Sequence, residues 1–295
     1  MVYTYDGTFD GLLTTLRRIW QAGGEAISIR PQTGAQHDLF AAGTHVTTDE
    51  VTARAVWANL LRWLPEQARE TLYHVFLAEQ PDSESLIYRY VRRVIEQKGA
   101  DIREQFTDDT VRRVLDLSRW LKREKHRMEA FVRFEQTTAG LYHATIEPDV
   151  NVLPLIAGHF ARRYADQQWL IYDKRRRYGL RYDGRRVQVV RPETAAPMLA
   201  SGEPETRNQK REALLPAALA EREPTFQHLW LTYYTSATIA ARRSPERHRR
   251  HLPKRYWKHL TEKRPAHLLP TMAEQAARPT TTPRKEQGRR AREQK

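Results

Sequence analysis

The chain has 295 residues, 40% of them hydrophobic, a formal net charge of +14 and no cysteine. The absence of cysteine excludes disulfides, thiolate zinc sites and iron–sulfur clusters held by this chain, and it fits a reducing, cytoplasmic setting. No run of about 18 apolar residues is present, so no membrane span is expected, and the opening MVYTYDGTFDG lacks the basic and apolar regions of a secretory signal.

In chain order, VYTY at 2–5 reads as a short strand, and Thr8 is placed to cap a helix from about Phe9 to Trp20. ISIR at 27–30 reads as a second strand stopped by Pro31. From Thr48 to about Lys125 the pattern is helical. Val51, Ala55, Leu60 and Leu61 fit a helix capped near Thr48, SESLIYRYVRRVIEQK begins a second at Ser83, and TDDTVRRVLDLSRWLKREKHRMEAF begins a third at Thr107. The third is acidic in its first turn and basic toward its end, matching the helix dipole. The period then changes. FVRFEQ, LYHATIEP, QWLIYD, YGLRYD and VQVVRP are short, aromatic and β-branched, with turn signals between them. Between the second and third lies NVLPLIAGHFARRYAD, with helical spacing, Asn151 as its cap and Pro154 tolerated in the first turn.

The expectation is therefore an α+β fold. A mainly helical region with short N-terminal strands (1–128) precedes a small mixed β-β-α-β-β-β sheet unit (129–192). Residues 193–222 read as a linker or peripheral segment. Residues 223–263 read as C-terminal helices packing on the body, one from about Thr225 to Arg243 and one starting at Pro253. Residues 264–295 read as a disordered basic tail.

Charge is placed unevenly. Residues 241–295 carry 17 Lys and Arg against 5 Glu, which is twelve of the fourteen net positive charges. A basic end on a nearly neutral body suggests a polyanion partner, DNA in the first instance, and a solubilising tail is the plain alternative. Within HLPKRYWKHLTEK (251–263), helical spacing puts Pro253, Tyr256, Trp257 and Leu260 on one face. The aromatics would then anchor the segment while Lys254, Arg255 and Lys258 face outward in a row suited to phosphates, extended upstream by Arg249 and Arg250. The turn DKRRRYG presents Lys174, Arg175, Arg176 and Arg177 at a hairpin tip, either simply solvated or enlarging the same phosphate-contact surface.

Candidate chemistry is sparse. On NVLPLIAGHFARRYAD a helical wheel gathers Val152, Leu155, Ile156, Phe160 and Tyr164 on one face, with His159 and Arg163, an i,i+4 pair, on or beside it. A buried unpaired arginine is too costly. The pair is thus either satisfied internally, or snorkels outward, or lines a groove. On LYHATIEP, alternation puts His143 and Glu147 on one face, with Asp149 nearby. Their spacing matches no established metal-ligand set, so no metal is expected and a solvated sheet face is the expectation for His143. Asp173 ends a strand at the hairpin. His159, Glu147 and Asp173 are the candidate acid–base residues. There is no P-loop, G-x-G-x-x-G, H-E-x-x-H or G-x-S-x-G, and LPLIAGHFARR lacks the closely spaced glycines of a helix-hairpin-helix.

The stretches YTYDGTFDGLL, FVRFEQTTAGLYHATIEPDVNVLPLIAGHFARRYADQQWLIYDKRRRYGLRYDG and LPKRYWKHLTEK together resemble an uncharacterised bacterial family described as DNA-metabolism or DNA-repair proteins. The resemblance implies a gene neighbour of the radical-SAM class acting in DNA modification or repair, and in some members a C-terminal uracil-DNA-glycosylase-like domain. Here a basic tail stands in that place. The conspicuous positions are Asp6, Gly7, Glu147, Pro148, Asn151, His159, Arg163, Asp173, Lys254, Arg255, Tyr256 and Trp257, with no role to carry over, and His143 falls where a tyrosine is usual. The expectation is a DNA-binding accessory protein without a cofactor of its own, working with a radical-SAM partner. The alternatives are an enzyme acting on DNA through carboxylates and His159 in a groove lined by Arg163, and a protein–protein scaffold.

Overall fold

Val2–Tyr5 forms strand β1, whose alternation buries Tyr3 and Tyr5. Thr8 caps helix α1 (Phe9–Gln21) by accepting from the Gly11 amide, as the sequence predicts. Asp6 secures the turn between them, accepting from the Thr8 amide at 2.9 Å, the Thr8 hydroxyl at 2.7 Å and the Thr48 hydroxyl at 2.7 Å. Strands β2 (Ser28–Pro31) and β3 (Gly43–His45) flank β1, both parallel to it. Pro31 is the last residue of β2 rather than the first beyond it. The structure, a computed structural model, describes residues 1–23, 28–32, 43–191, 219–236 and 251–263.

Four helices follow: α2 (Glu50–Trp63), α3 (Glu66–Leu77), α4 (Ser83–Glu96) and α5 (Asp109–Phe131). Helix α3 was not separated by the sequence pattern, and Pro65 is what divides it from α2. Two caps sit one residue later than expected. Asp49, not Thr48, accepts from the Val51 amide, and Asp108, not Thr107, accepts from Thr110 and Val111. A carboxylate satisfies the N-terminal amides and also complements the dipole, which a hydroxyl cannot do.

Helix α5, 23 residues and about 35 Å long at 1.5 Å per residue, joins the two cores of the fold. Its Val111 and Val114 pack with Leu12, Leu16, Leu72 and Val91 of the helical half. Its Leu121 and Met128 pack with the second sheet. That sheet has the order β4 (Glu135–Gln136), β5 (Tyr142–Ile146), β6 (Trp169–Asp173), β7 (Tyr178–Tyr182) and β8 (Val187–Val190). Helix α6 (Leu153–Arg163) connects β5 to its parallel neighbour β6, and the other pairings are antiparallel. The fold is α+β, a helical N-terminal half followed by a five-stranded mixed sheet. The stretch FVRFEQ supplies only a two-residue strand, because α5 continues through Phe131.

One face of this sheet, with Ala144, Ile146, Trp169, Ile171, Leu180 and Tyr182, packs against Ile156 and Phe160 of α6. The other carries a smaller cluster of Leu170, Tyr172 and Val190. Every residue of β6 is buried, as its unbroken apolar run WLIY requires. At Gly179 in β7, a Cβ would lie 2.8 Å from the Ile171 carbonyl oxygen and 3.1 Å from the Leu170 side chain. Backbone cannot retreat from the middle of a sheet, so Gly179→Ala is expected to cost about 1–3 kcal/mol. Equilibrium urea unfolding checks it, and an unchanged midpoint would refute it.

The last described elements are helix α7 (Glu223–Ser236) and two 3₁₀ helices, Lys254–His259 and Thr261–Lys263. The α-helix expected from Pro253 is thus a 3₁₀ segment, and Leu252, Tyr256 and Leu260 are its buried anchors. Residues 237–243 of the predicted helix, Arg249, Arg250, nearly all of 193–222 and all of 264–295 lie outside the described residues. Among the described residues, no helix is long and apolar enough to cross a membrane.

Candidate nucleic-acid interface

Where α5 ends, the backbone turns through Val132, Arg133 and Phe134 toward β4, and α6 crosses nearby on its way to β6. A cavity of about 700 Å³ opens between these elements. Its walls are Phe134, Tyr142, Phe160, Tyr164, Trp169 and Trp230, and its polar lining includes Glu129, Arg133, His159 and Arg163. A second hollow of about 300 Å³ continues from it, sharing Arg133, Phe134, Tyr142 and Trp230 and adding Phe226, Gln227 and Thr261. The result is one elongated groove.

Its back wall is rigid. Phe134 meets Phe160 edge-on at 5.6 Å and Tyr164 edge-on at 5.4 Å, while Trp169 stacks on Tyr182 at 5.4 Å. Its front rim is open. Trp230 is 36% exposed and Phe226 55%.

The helical spacing of α6 brings His159 and Arg163 to this rim, and the two do not pair with each other. His159 Nδ1 lies 3.9 Å from Glu129 Oε1, and Glu129 is held at 2.7 Å by Lys125. Arg163 is exposed, with its guanidinium 5.7 Å from the Tyr164 ring centre and its Nε donating to the Tyr164 hydroxyl at 3.4 Å. No carboxylate lies within ion-pairing distance of it among the described residues. Arg133 is fixed differently: its guanidinium donates to both oxygens of the buried Glu262 at 2.8 and 3.2 Å and covers the Trp230 ring at 5.2 Å. The Trp230 indole N–H donates to the same carboxylate at 3.0 Å. These partners hold Glu262 well ionised and its pKa below the usual value, against the burial that would raise it.

Glu262 belongs to the C-terminal segment, so the segment's docking completes the groove. Tyr256 is buried and its hydroxyl donates to Glu124, a fully buried carboxylate that Arg127 also binds at 3.1 Å. Tyr256 thus anchors the segment, whereas Trp257 is half-buried and donates its indole N–H to the Leu252 carbonyl of the same segment at 3.1 Å. Its cations are less simply displayed than the helical wheel suggests. Arg255 pairs with Asp149 at 2.9 Å, and Lys258 pairs with Glu147. Both remain about half exposed, a setting in which ion pairs contribute little and can be exchanged for phosphate. Lys254 is exposed.

The hairpin cations divide in the same way. Lys174 and Arg177 are exposed, and Arg175 lies 3.7 Å from Asp149. Arg176 is a structural residue. All its N–H groups are engaged, with Glu79, Asp173, the Pro148 carbonyl and the Asp149 carbonyl as acceptors at 2.7–3.2 Å. Asp173 is fully buried and also accepts from the amides of Arg175 and Arg176. Of the three acid–base candidates, Asp173 is thus locked in the hairpin and Glu147 is engaged by the C-terminal segment; His159 alone lines the groove. His143 is buried, not solvated, and burial pushes its pKa down to about 4.

The sequence reading did not single out Arg133, Tyr142 or Trp230. A signal was present in FQHLWLTYY, whose Phe226, Trp230, Tyr233 and Tyr234 fall on one face of α7 at i, i+4, i+7 and i+8, an aromatic stripe that the fold leaves largely exposed.

An α+β chain with an aromatic, arginine-rimmed groove is the class of protein that this geometry defines. The chain belongs to the DUF4130 family, described as a domain of unknown function, which matches residues 81–262. That span runs from the start of α4 to Glu262 and so contains every residue named in the groove. No curated protein and no solved structure matches the chain.

Proposed function

We propose that this protein is a DNA-binding accessory protein of DNA repair or modification that acts with a radical-SAM partner enzyme. The observation that carries the DNA half is the charge distribution: twelve of fourteen net positive charges fall in 241–295, and the described part of that segment is docked on the rim of an aromatic groove. Phosphate neutralisation releases counterions, so such a segment binds polyanions with a strong dependence on salt. The partner half rests on the sequence resemblance and on cysteine usage. A chain without cysteine cannot ligate an iron–sulfur cluster through thiolates, so radical chemistry would reside in the partner.

The test must keep 251–263, since removing it would strip buried Tyr256 and Leu260 and the groove's Glu262 from the body. The eight lysines and arginines between 264 and 295 are changed to glutamine in the full-length chain. Fluorescence anisotropy with labelled DNA across a salt series is then compared for the two proteins. The natural chain is expected to lose affinity linearly on a log–log plot, with a slope near −0.9 per phosphate contacted on duplex, and the variant to bind more weakly with a shallower slope. Salt-independent or absent binding by the natural chain would overturn the reading. A second arm adds the radical-SAM protein, and a ternary complex is the expected outcome.

A further inference from the structure

The groove's lining matches one ligand chemistry. We propose that it holds unpaired nucleotides of a single strand, with bases stacked on Trp230 and Tyr142 and the backbone neutralised by Arg163. This rests on the DNA-binding reading above and assigns it a specific surface.

Three observations converge. The first is shape. The two hollows, about 700 and 300 Å³, share a wall and form a track longer than a single side-chain niche. The second is the alternation of aromatic faces with guanidinium groups. Arg133 lies over the Trp230 ring, and Arg163 lies over Tyr164. Flat π-faces accept any base, whereas a base still paired in a duplex cannot present its face to them. An apolar peptide would be better matched by aliphatic walls without exposed cations. The third is the local charge. Glu129 is neutralised by Lys125 and Glu262 by Arg133, while Glu223 of the second hollow accepts from the Gln136 amide and from Gln227, so the first hollow is where a phosphate meets least opposing charge. Arg163 has no carboxylate within ion-pairing distance among the described residues and is available to one.

The flanking sequence strengthens this. Five arginines follow α7 within 241–250, and Lys263, which sits 5.1 Å from the Tyr234 ring centre, leads into the basic stretch beyond. These cations add to the charge that draws a polyanion to the chain.

The test uses the full-length chain and three fluorescent probes: a short oligothymidylate, the same strand annealed to oligodeoxyadenylate, and oligouridylate. The single strand is expected to bind more tightly than the duplex. Trp230→Ala is expected to weaken oligothymidylate binding about tenfold, while Trp230→Phe keeps most of it, since base stacking needs an aromatic face. Arg163→Gln is expected to weaken binding severalfold and to reduce the salt slope by about one phosphate contact. Because Trp230 also braces Glu262, an independent measurement accompanies the variants. Photocross-linking of a 5-iodouracil strand to the natural chain should yield adducts on peptides containing Tyr142, Tyr164 or Trp230.

Adducts confined to other peptides, with Trp230→Ala and Arg163→Gln binding like the natural chain, would overturn the groove assignment and leave DNA binding standing. Failure of the natural chain to bind any of the three probes would overturn both readings. Equal affinity for oligouridylate and oligothymidylate supports the groove as a single-strand site that does not read the sugar.

Discussion

Arg176→Met is expected to lower the unfolding free energy by about 3–5 kcal/mol at neutral pH, the cost of stranding a buried partner charge. Asp173 is fully buried, and burial already raises its carboxyl pKa in spite of Arg176. Without the guanidinium that burial is opposed, among the described residues, by the amides of Arg175 and Arg176. The same substitution releases Glu79 at the end of α3 and the carbonyls of Pro148 and Asp149 before α6, so the hairpin loses its ties to two other elements. Asp173→Asn alone is expected to destabilise as well, and the double variant by less than the two single losses combined, since both single changes break one pair. Lys174→Gln and Arg177→Gln, at exposed positions of the same hairpin, are expected to stay within about 0.5 kcal/mol of the natural chain. Urea unfolding of the four single variants and the double decides this. An Arg176→Met protein as stable as the natural chain but defective in DNA binding would reverse the assignment and make Arg176 a phosphate contact.

That contrast shows where sequence reasoning reaches its limit. The run Lys174–Arg175–Arg176–Arg177 is uniform in composition, yet its members differ in role because the turn aims only Arg176 inward, at Glu79 in the turn after the distant helix α3. Nothing local to the hairpin encodes that partner. Periodicity served better where one face alone decides burial. The Thr8 cap, the β-β-α-β-β-β order and the anchoring role of Tyr256 all follow from local spacing. It failed where two segments far apart meet. Arg133 and Trp230 become groove residues only because Glu262, 129 positions beyond Arg133, joins them. His159 and Arg163 were legible as a pair on one helix face. That they face an aromatic cavity and not each other depends on α5 and α7, which the pattern of α6 does not describe.

The fold should also be acid-sensitive well above the carboxylate range, because of two histidines. His143, on β5, and His74, on α3, are each nearly inaccessible, and burial pushes both pKa values down to about 4. For His74 the nearby Glu70 opposes this shift without reversing it. In the unfolded chain each ring takes its proton near the ordinary 6.5. Between about pH 6.5 and 4 the unfolded state therefore binds more protons than the folded one, so stability falls as pH falls across that window and is restored above it. At 1.36 kcal/mol per pKa unit, each histidine contributes about 3 kcal/mol to the loss. Together they are comparable with the whole stability of a typical domain. His143 is the cleaner probe, since its Nε2 is buried with no hydrogen-bond partner among the described residues, whereas His74 Nδ1 meets the Ser118 hydroxyl at 2.9 Å. His143→Phe should therefore match or exceed the natural chain at pH 7.5, because it removes an unsatisfied buried polar atom. It should also lose roughly half of the decline in urea midpoint between pH 7 and pH 4.5. A variant whose decline runs parallel to that of the natural chain would show that His143 is protonated in the folded state, as a solvated strand face would allow.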